Sequence, residues 1–245
     1  MTFRFPGETD DYRAKRDSLL DAEVELRAHG EAVAQQRREL PLGGKLGDDY
    51  RFEQVRGGEV TQVPFADLFG EHEHLLLYTM MFGREWDAPC PSCTSIVDGM
   101  DSNWYAVNDT TAIAVVADAG PQQLHDWAEK RGWTIPLFSG GETSFVLDYA
   151  GFETTDPGLC SILNAFRRTE DGVHHTWGSE LLGRPMESGH PRHVDPIWPM
   201  WNLLDASAGG RGDAIIPKQD FEHSYFTKVV LGQEQTAAED GDCCH

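Results

Sequence analysis

Two cysteines separated by two residues, Cys90-Pro91-Ser92-Cys93, have the types and spacing that most directly suggest chemistry. They follow an apolar run and precede apolar residues at helical spacing, which places them at the start of a helix. Unpaired N–H groups and the helix dipole lower the pKa of a thiol at such a position. Cys90 is therefore a candidate nucleophile towards a disulfide, and Cys93, one turn later, a candidate resolving thiol.

The same spacing occurs in metal sites, so a second interpretation stays open. His190 and His193 form an H-x-x-H segment flanked by prolines, and thiolate with imidazole is a sound ligand set for copper or zinc. A metal-binding protein or metalloenzyme would use Cys90, Cys93 and one of these histidines. The sequence requires no cofactor, and a zinc site of two C-x-x-C pairs is excluded because no second pair exists. A further candidate for soft metals ends the chain: Cys243-Cys244-His245.

Residues beside the thiols are candidate substrate contacts: Trp86, Pro91 and Ser92. Trp86 lies close enough along the chain to cover the thiol and to restrict which substrates reach it. The expected partner is a thiol or disulfide substrate, or a redox partner protein. A third, non-catalytic interpretation is a redox-sensing or scaffolding module.

The composition limits the class of protein. The 245 residues carry a net charge of −21, which argues against nucleic acid or an anionic membrane as partner because phosphates would repel the chain. The first residues lack the apolar run of a secretory signal, which predicts a cytoplasmic protein whose thiols are kept reduced. The longest apolar run, residues 75–82, suits a buried strand and is too short to span a membrane.

An apolar residue recurs every seven positions near the N-terminus: Tyr12, Leu19, Leu26, Val33 and Leu40. This spacing predicts one long amphipathic helix over residues 10–40, which ends at Pro41. The apolar stripe must be covered either by the chain's own core or by a second copy of the chain. A homodimer through this helix is thus one of two open interpretations.

The elements that position the cysteines are predicted from the remaining apolar pattern. Residues 75–82 and 111–117 read as buried strands, each followed by a helix. Residues 160–166 and 173–177 read as a terminal antiparallel hairpin. The order β-α-β-α-β-β is that of the thioredoxin fold, so the fold class is α/β with a long N-terminal helix and an irregular C-terminal extension.

Four regions follow from these patterns. An N-terminal helical extension spans residues 1–45, and the thioredoxin-like core spans residues 46–183. A C-terminal extension rich in Pro, Gly, Trp and His, residues 184–232, is expected to pack on the core and to bring His190 or His193 near the thiols. The last segment, residues 233–245, is acidic and expected to be disordered.

Several stretches together resemble one bacterial family. They include Tyr78-Thr-Met-Met-Phe-Gly83 followed by Trp86 and Cys90-Pro-Ser-Cys-Thr94, then Asp49-Tyr-Arg-Phe-Glu53, His190-Pro-Arg-His-Val-Asp195 and Trp198-Pro-Met-Trp201. These residues are similar to the thioredoxin-like family called domain of unknown function 899. Its members are often labelled predicted dithiol-disulfide oxidoreductases.

The resemblance implies a thioredoxin-like fold with Cys90 and Cys93 as the redox pair, and it implies no substrate. Thioredoxins place a proline just before the strand that faces the pair, whereas the nearest proline here is Pro157. The groove for a substrate peptide is therefore expected to be altered.

Peroxiredoxins, which share the fold, carry the motif P-x-x-x-T/S-x-x-C. The positions seven and three residues before Cys90 hold Gly83 and Asp87, and those before Cys93 hold Trp86 and Cys90. The sequence therefore lacks the peroxiredoxin motif.

Overall fold

The computed structural model of the chain describes residues 4–47, 50–151, 153–183 and 193–211. It forms two compact units, one ending at Gly43 and one beginning at Gly44. The expected tail at residues 233–245 and much of the expected extension at residues 184–232 lie outside the described residues.

The first unit contains the predicted long helix, α1, at Asp10–Glu39. The Thr9 side chain caps it by accepting a hydrogen bond from the Tyr12 N–H at 3.2 Å. Acidic residues in its first turn and basic residues in its last turn complement the helix dipole: Asp10, Asp11, Arg37 and Arg38. Of the helices in the described ranges, none is long and apolar enough to cross a membrane.

The apolar stripe of α1 has no buried side chain. Leu26, at the middle of the stripe, is 72% exposed, and Tyr12, Leu19 and Leu40 are also exposed. These positions are exposed in the first unit, and a second copy of the chain stays one of the two candidate covers for the stripe.

In the second unit, the described residues form one seven-stranded sheet with the order β2-β1-β5-β4-β3-β6-β7. The central strands β3, β4 and β5 are parallel, and the flanking strands β1 and β6 run antiparallel to them. The strands are β1 Arg51–Arg56, β2 Glu59–Pro64, β3 His74–Thr79, β4 Ala112–Ala117, β5 Leu137–Ser139, β6 Ile162–Thr169 and β7 Gly172–Gly178.

The helices of this unit complete a thioredoxin-like fold. They are α2 Pro91–Asp101, α3 Trp104–Val107, α4 Pro121–Arg131, α5 Phe145–Asp148 and α6 Pro199–Asp205. The chain runs β3-α2-β4-α4 and then enters the β6-β7 hairpin, as the sequence predicted. The sequence pattern missed β5 and α5, because three and four residues are too few to show a period.

Glycines with positive φ form the β1–β2 turn and the end of α4. Gly57 and Gly58 have φ of 60° and 84°, which suits the tight hairpin between β1 and β2. Gly132, in the left-handed region at φ 73°, ends α4.

Strand β3 is buried on both faces, as expected of a central parallel strand. Leu75 and Leu77 pack into a core with Phe52 and Phe145 on one face of the sheet. Tyr78 points to the other face and packs with the residues of α2. The second face carries the cysteine pair.

Candidate functional site

Cys90 lies where the chain leaves the carboxyl end of β3 and enters α2. It is the N-cap residue, and Pro91 occupies the first turn, where a missing N–H costs nothing. The Cys90 N–H donates to the Met81 carbonyl at 2.9 Å, and the Cys90 carbonyl accepts from the Thr94 N–H at 2.9 Å. These bonds hold the first thiol at the helix N-terminus.

The two thiols differ in their access to solvent. Cys90 is half-buried, whereas Cys93 is 2% exposed and belongs to the core around α2. Both are free thiols. A substrate from solvent can therefore reach the first sulfur and not the second.

Hydrogen bonding lowers the pKa of Cys90 to about 6. The largest cause is the bond from the Cys93 thiol, followed by an opposing effect of burial and then by bonds from the Cys93 and Ser92 N–H groups. The Ser92 hydroxyl adds a smaller contribution in the same direction. Cys90 is therefore mostly thiolate at neutral pH, which is the form that attacks disulfides.

The Cys93 thiol has the opposite character. Its hydrogen bond to Cys90 and its burial both raise its pKa well above the ordinary value. The pair thus holds one proton between two sulfurs, with the charge on the accessible one.

Two hydroxyl side chains lie against Cys93. Cys93 Sγ lies 3.7 Å from Ser161 Oγ, and the hydroxyls of Tyr78 and Ser161 share a hydrogen bond of 3.1 Å. The Met81 N–H donates to Cys93 Sγ at 3.4 Å. Sequence reasoning assigned no role to Tyr78 or Ser161, because they meet only through the pairing of β3 with β6.

Ser161 immediately precedes β6, at the position that a proline holds in thioredoxins. Thr79 of β3 pairs with Ile162 of β6. This pairing holds Ser161, the residue before Ile162, beside the thiols. The nearest proline, Pro157, begins a short 3-10 turn that ends at Leu159. The chain thus has a serine hydroxyl, and not a proline ring, immediately before β6.

Cys160 is buried one residue earlier. Burial and the nearby charges of Asp156 and Asp118 raise its pKa to about 11. A buried thiol with a raised pKa is a poor nucleophile, so Cys160 serves as a small apolar side chain of the core.

The described part of the C-terminal extension, residues 193–211, packs against the same face. His193 is buried, and its Nε2 donates to the Ser161 carbonyl at 2.9 Å. Trp198, also buried, donates to Ser95 Oγ of α2 at 3.0 Å. Pro199 packs closely against Gly99, because a Cβ added to Gly99 would lie only 2.8 Å from Pro199 Cδ. This segment therefore covers the helix that carries the thiols.

The copper or zinc alternative has no support within the part of the chain that the structure describes. No three side chains of His, Cys, Asp or Glu converge there in a way that could hold a metal ion. His193 directs Nε2 to a backbone carbonyl. His190 and the terminal Cys243-Cys244-His245 lie outside the described residues.

The predicted substrate contacts precede and follow Cys90 in the chain. Pro91 and Ser92 are half-buried in the first turn of α2. Trp86 is half-buried in the preceding loop, where its indole covers Gly83 and its carbonyl accepts from Gln123 Nε2 at 2.6 Å. Their role in binding a substrate stays a prediction.

Solved structures with a similar chain path include peroxiredoxins. Enterococcus faecalis AhpC is 12% identical with a TM-score of 0.43, and the alignment covers 71% of this chain and 98% of that one. A Xanthomonas campestris peroxiredoxin Q mutant is 14% identical with a TM-score of 0.44, over 66% and 96%. A Xylella fastidiosa PrxQ mutant is 12% identical with a TM-score of 0.41, over 67% and 96%. Likeness at this level assigns no activity to the chain.

No curated protein matches the chain. A family model described as a bacterial protein of unknown function, DUF899, matches residues 3–228. This range contains the cysteine pair, the sheet and the segment that covers α2. The chain therefore belongs to the bacterial family of unknown function DUF899.

Proposed function

We propose that the protein is a thiol-disulfide oxidoreductase in which Cys90 is the nucleophile and Cys93 is the resolving thiol. The observation that carries this proposal is the asymmetry of the pair. Cys90 is accessible with a pKa lowered to about 6, and Cys93 is buried with a raised pKa. An accessible thiolate with a protonated thiol beside it suits the first of two exchange steps.

The two steps balance as a two-electron exchange. The Cys90 thiolate attacks a substrate disulfide, forms a mixed disulfide and releases one substrate thiolate. Cys93 then loses its proton and attacks Cys90 Sγ, which breaks the mixed disulfide and releases the second thiolate. The released thiolates take up protons from Cys93 and from solvent. The substrate is reduced, and the pair is oxidised to a Cys90–Cys93 disulfide.

Trp86, Pro91 and Ser92 are the proposed substrate contacts. All three are half-buried and border the accessible thiol along the chain. The Ser92 hydroxyl also helps to lower the pKa of Cys90.

The proposed function is tested by the stoichiometry of exchange with an aromatic disulfide, 5,5′-dithiobis(2-nitrobenzoate). The full chain carrying Cys243→Ser and Cys244→Ser should release two equivalents of coloured thiolate, one for each step. Peptide mapping should then find a Cys90–Cys93 bridge, because a disulfide needs Cα atoms within about 7 Å, a distance that adjacent turns of a helix satisfy. Release of a single equivalent, or a bridge to Cys160, would contradict the proposed roles.

We also propose that the exposed stripe of α1 pairs with the same stripe on a second copy of the chain. Leu26→Asp should dissociate the dimer in sedimentation velocity, because it would bury an unpaired carboxylate in the contact. Ala28→Asp adds the same charge on the opposite face of α1 and is the matched control. Equal sedimentation of the two variants, or a monomeric parent protein, would rule out this pairing.

A further inference from the structure

The second exchange step requires a negative charge where water is excluded. Cys93 is 2% exposed, and it must become a thiolate before it can attack the mixed disulfide. A buried charge without hydrogen bonds is costly, so this step would be slow unless donors meet the sulfur. In the mixed disulfide, Cys90 no longer carries the charge that accepted the Cys93 proton.

Hydrogen-bonding groups from β3, from the loop after it and from the residue before β6 lie near Cys93 Sγ. The Met81 N–H lies 3.4 Å from it, and Ser161 Oγ lies 3.7 Å from it. Tyr78, which is fully buried, makes a side-chain hydrogen bond with Cys93 and another with Ser161 Oγ at 3.1 Å. Cys93 and Tyr78 are both buried, so these contacts are made where water is excluded.

The two hydroxyls can serve both protonation states of Cys93. A hydroxyl can accept a hydrogen bond from a thiol and, after rotation about its C–O bond, donate one to a thiolate. An N–H group can only donate. The hydrogen bond with Tyr78 lowers the pKa of Cys93, against the larger effects of Cys90 and of burial.

We propose that Tyr78, Ser161 and the Met81 N–H form a binding site for the Cys93 thiolate that makes this sulfur the attacking group of the second step. This inference rests on the proposed function. In the step, Cys93 loses its proton to solvent or to the departing thiolate. The Cys93–Cys90 bond forms as the bond from Cys90 to the substrate sulfur breaks, and the electron pair leaves with the substrate thiolate.

The surrounding structure holds the donors in place. Tyr78 lies on β3 opposite Leu163 of β6, so strand pairing sets its distance from Ser161. The Ser161 carbonyl is held by His193 Nε2 at 2.9 Å, from the segment that precedes α6. Within the described residues, the titratable groups that face Cys93 are Cys90 on α2 and Tyr78 on β3, and His193 lies behind Ser161.

The test measures the two release phases with 5,5′-dithiobis(2-nitrobenzoate) by stopped flow, in the full chain carrying Cys243→Ser and Cys244→Ser. Tyr78→Phe removes one hydroxyl without opening a cavity, and Ser161→Ala removes the other. Each variant should leave the first phase within about twofold and slow the second by about 10- to 100-fold, the usual effect of a hydrogen bond to a charged group. The pH midpoint of the second phase should rise, because the Cys93 thiolate loses a donor.

Tyr50→Phe is the matched control, because it also removes a tyrosine hydroxyl and its hydrogen bond, to Asp148 Oδ2 at 2.8 Å. It should change neither phase. If the parent protein releases only one equivalent, the proposed function fails. The parent protein could instead release two equivalents while Tyr78→Phe and Ser161→Ala keep its second-phase rate and pH midpoint. That result would overturn the role of the two hydroxyls and leave the proposed function standing.

Discussion

Cys90→Ser should lower the rate of disulfide exchange at pH 7 by at least about a thousandfold, the scale on which loss of a catalytic nucleophile acts. A serine hydroxyl is not ionised at this pH and is a weak nucleophile. Cys93→Ser should instead release one equivalent from 5,5′-dithiobis(2-nitrobenzoate) and stop at a mixed disulfide on Cys90. Both variants carry Cys243→Ser and Cys244→Ser, so that only the pair is compared.

The pH dependence of alkylation supplies a second test of the Cys90 thiolate. The pKa of Cys90 is lowered to about 6, so alkylation of the parent protein by iodoacetamide should rise with pH to half of its maximum near pH 6. An ordinary thiol would reach that point near pH 8.5. If Cys93 proves to be the faster thiol, or if Cys90→Ser retains two-equivalent release, the assigned roles are wrong.

Trp198→Ala should lower the free energy of unfolding by about 3–5 kcal/mol, the usual range for a buried tryptophan replaced by alanine. Trp198 is 2% exposed in the core beside α2, and its Nε1 donates to Ser95 Oγ at 3.0 Å. Three effects would lower the free energy of unfolding: less apolar surface is buried, a cavity opens, and the hydrogen bond to Ser95 is broken. Urea unfolding followed by circular dichroism measures it without relying on tryptophan fluorescence.

Leu203→Ala is the control for this prediction, because Leu203 lies in α6 and is 71% exposed. Leu203→Ala should change the free energy of unfolding by no more than about 0.5 kcal/mol. If Trp198→Ala destabilises the protein no more than Leu203→Ala does, residues 193–211 contribute nothing to the packing of α2.

Segments with strong local signals could be predicted from the sequence. The continuous apolar runs at β3 and β4 identified buried strands, and a helix was predicted after each of them. Pro91 within the cysteine pair identified a helix start. The stripe of α1 predicted the helix and left its cover open, because periodicity shows that a face is apolar and not what lies against it.

The groups that surround Cys93 could not be predicted from the sequence. Tyr78 and Ser161 are 83 residues apart, and their hydroxyls meet only because β3 pairs with β6 in one register. A shift of one residue would turn Tyr78 to the other face of the sheet. The contact of His193 with Ser161 depends likewise on the path of the C-terminal extension.

The sequence by itself determined the place of the cysteine pair at a helix start and the order of the main strands, because each depends on residues close together along the chain. The tertiary structure alone decided how deeply each cysteine is buried and which groups surround Cys93. Those properties depend on burial and on hydrogen bonds between distant segments, and both arise only when β3, β6, α2 and the extension pack together.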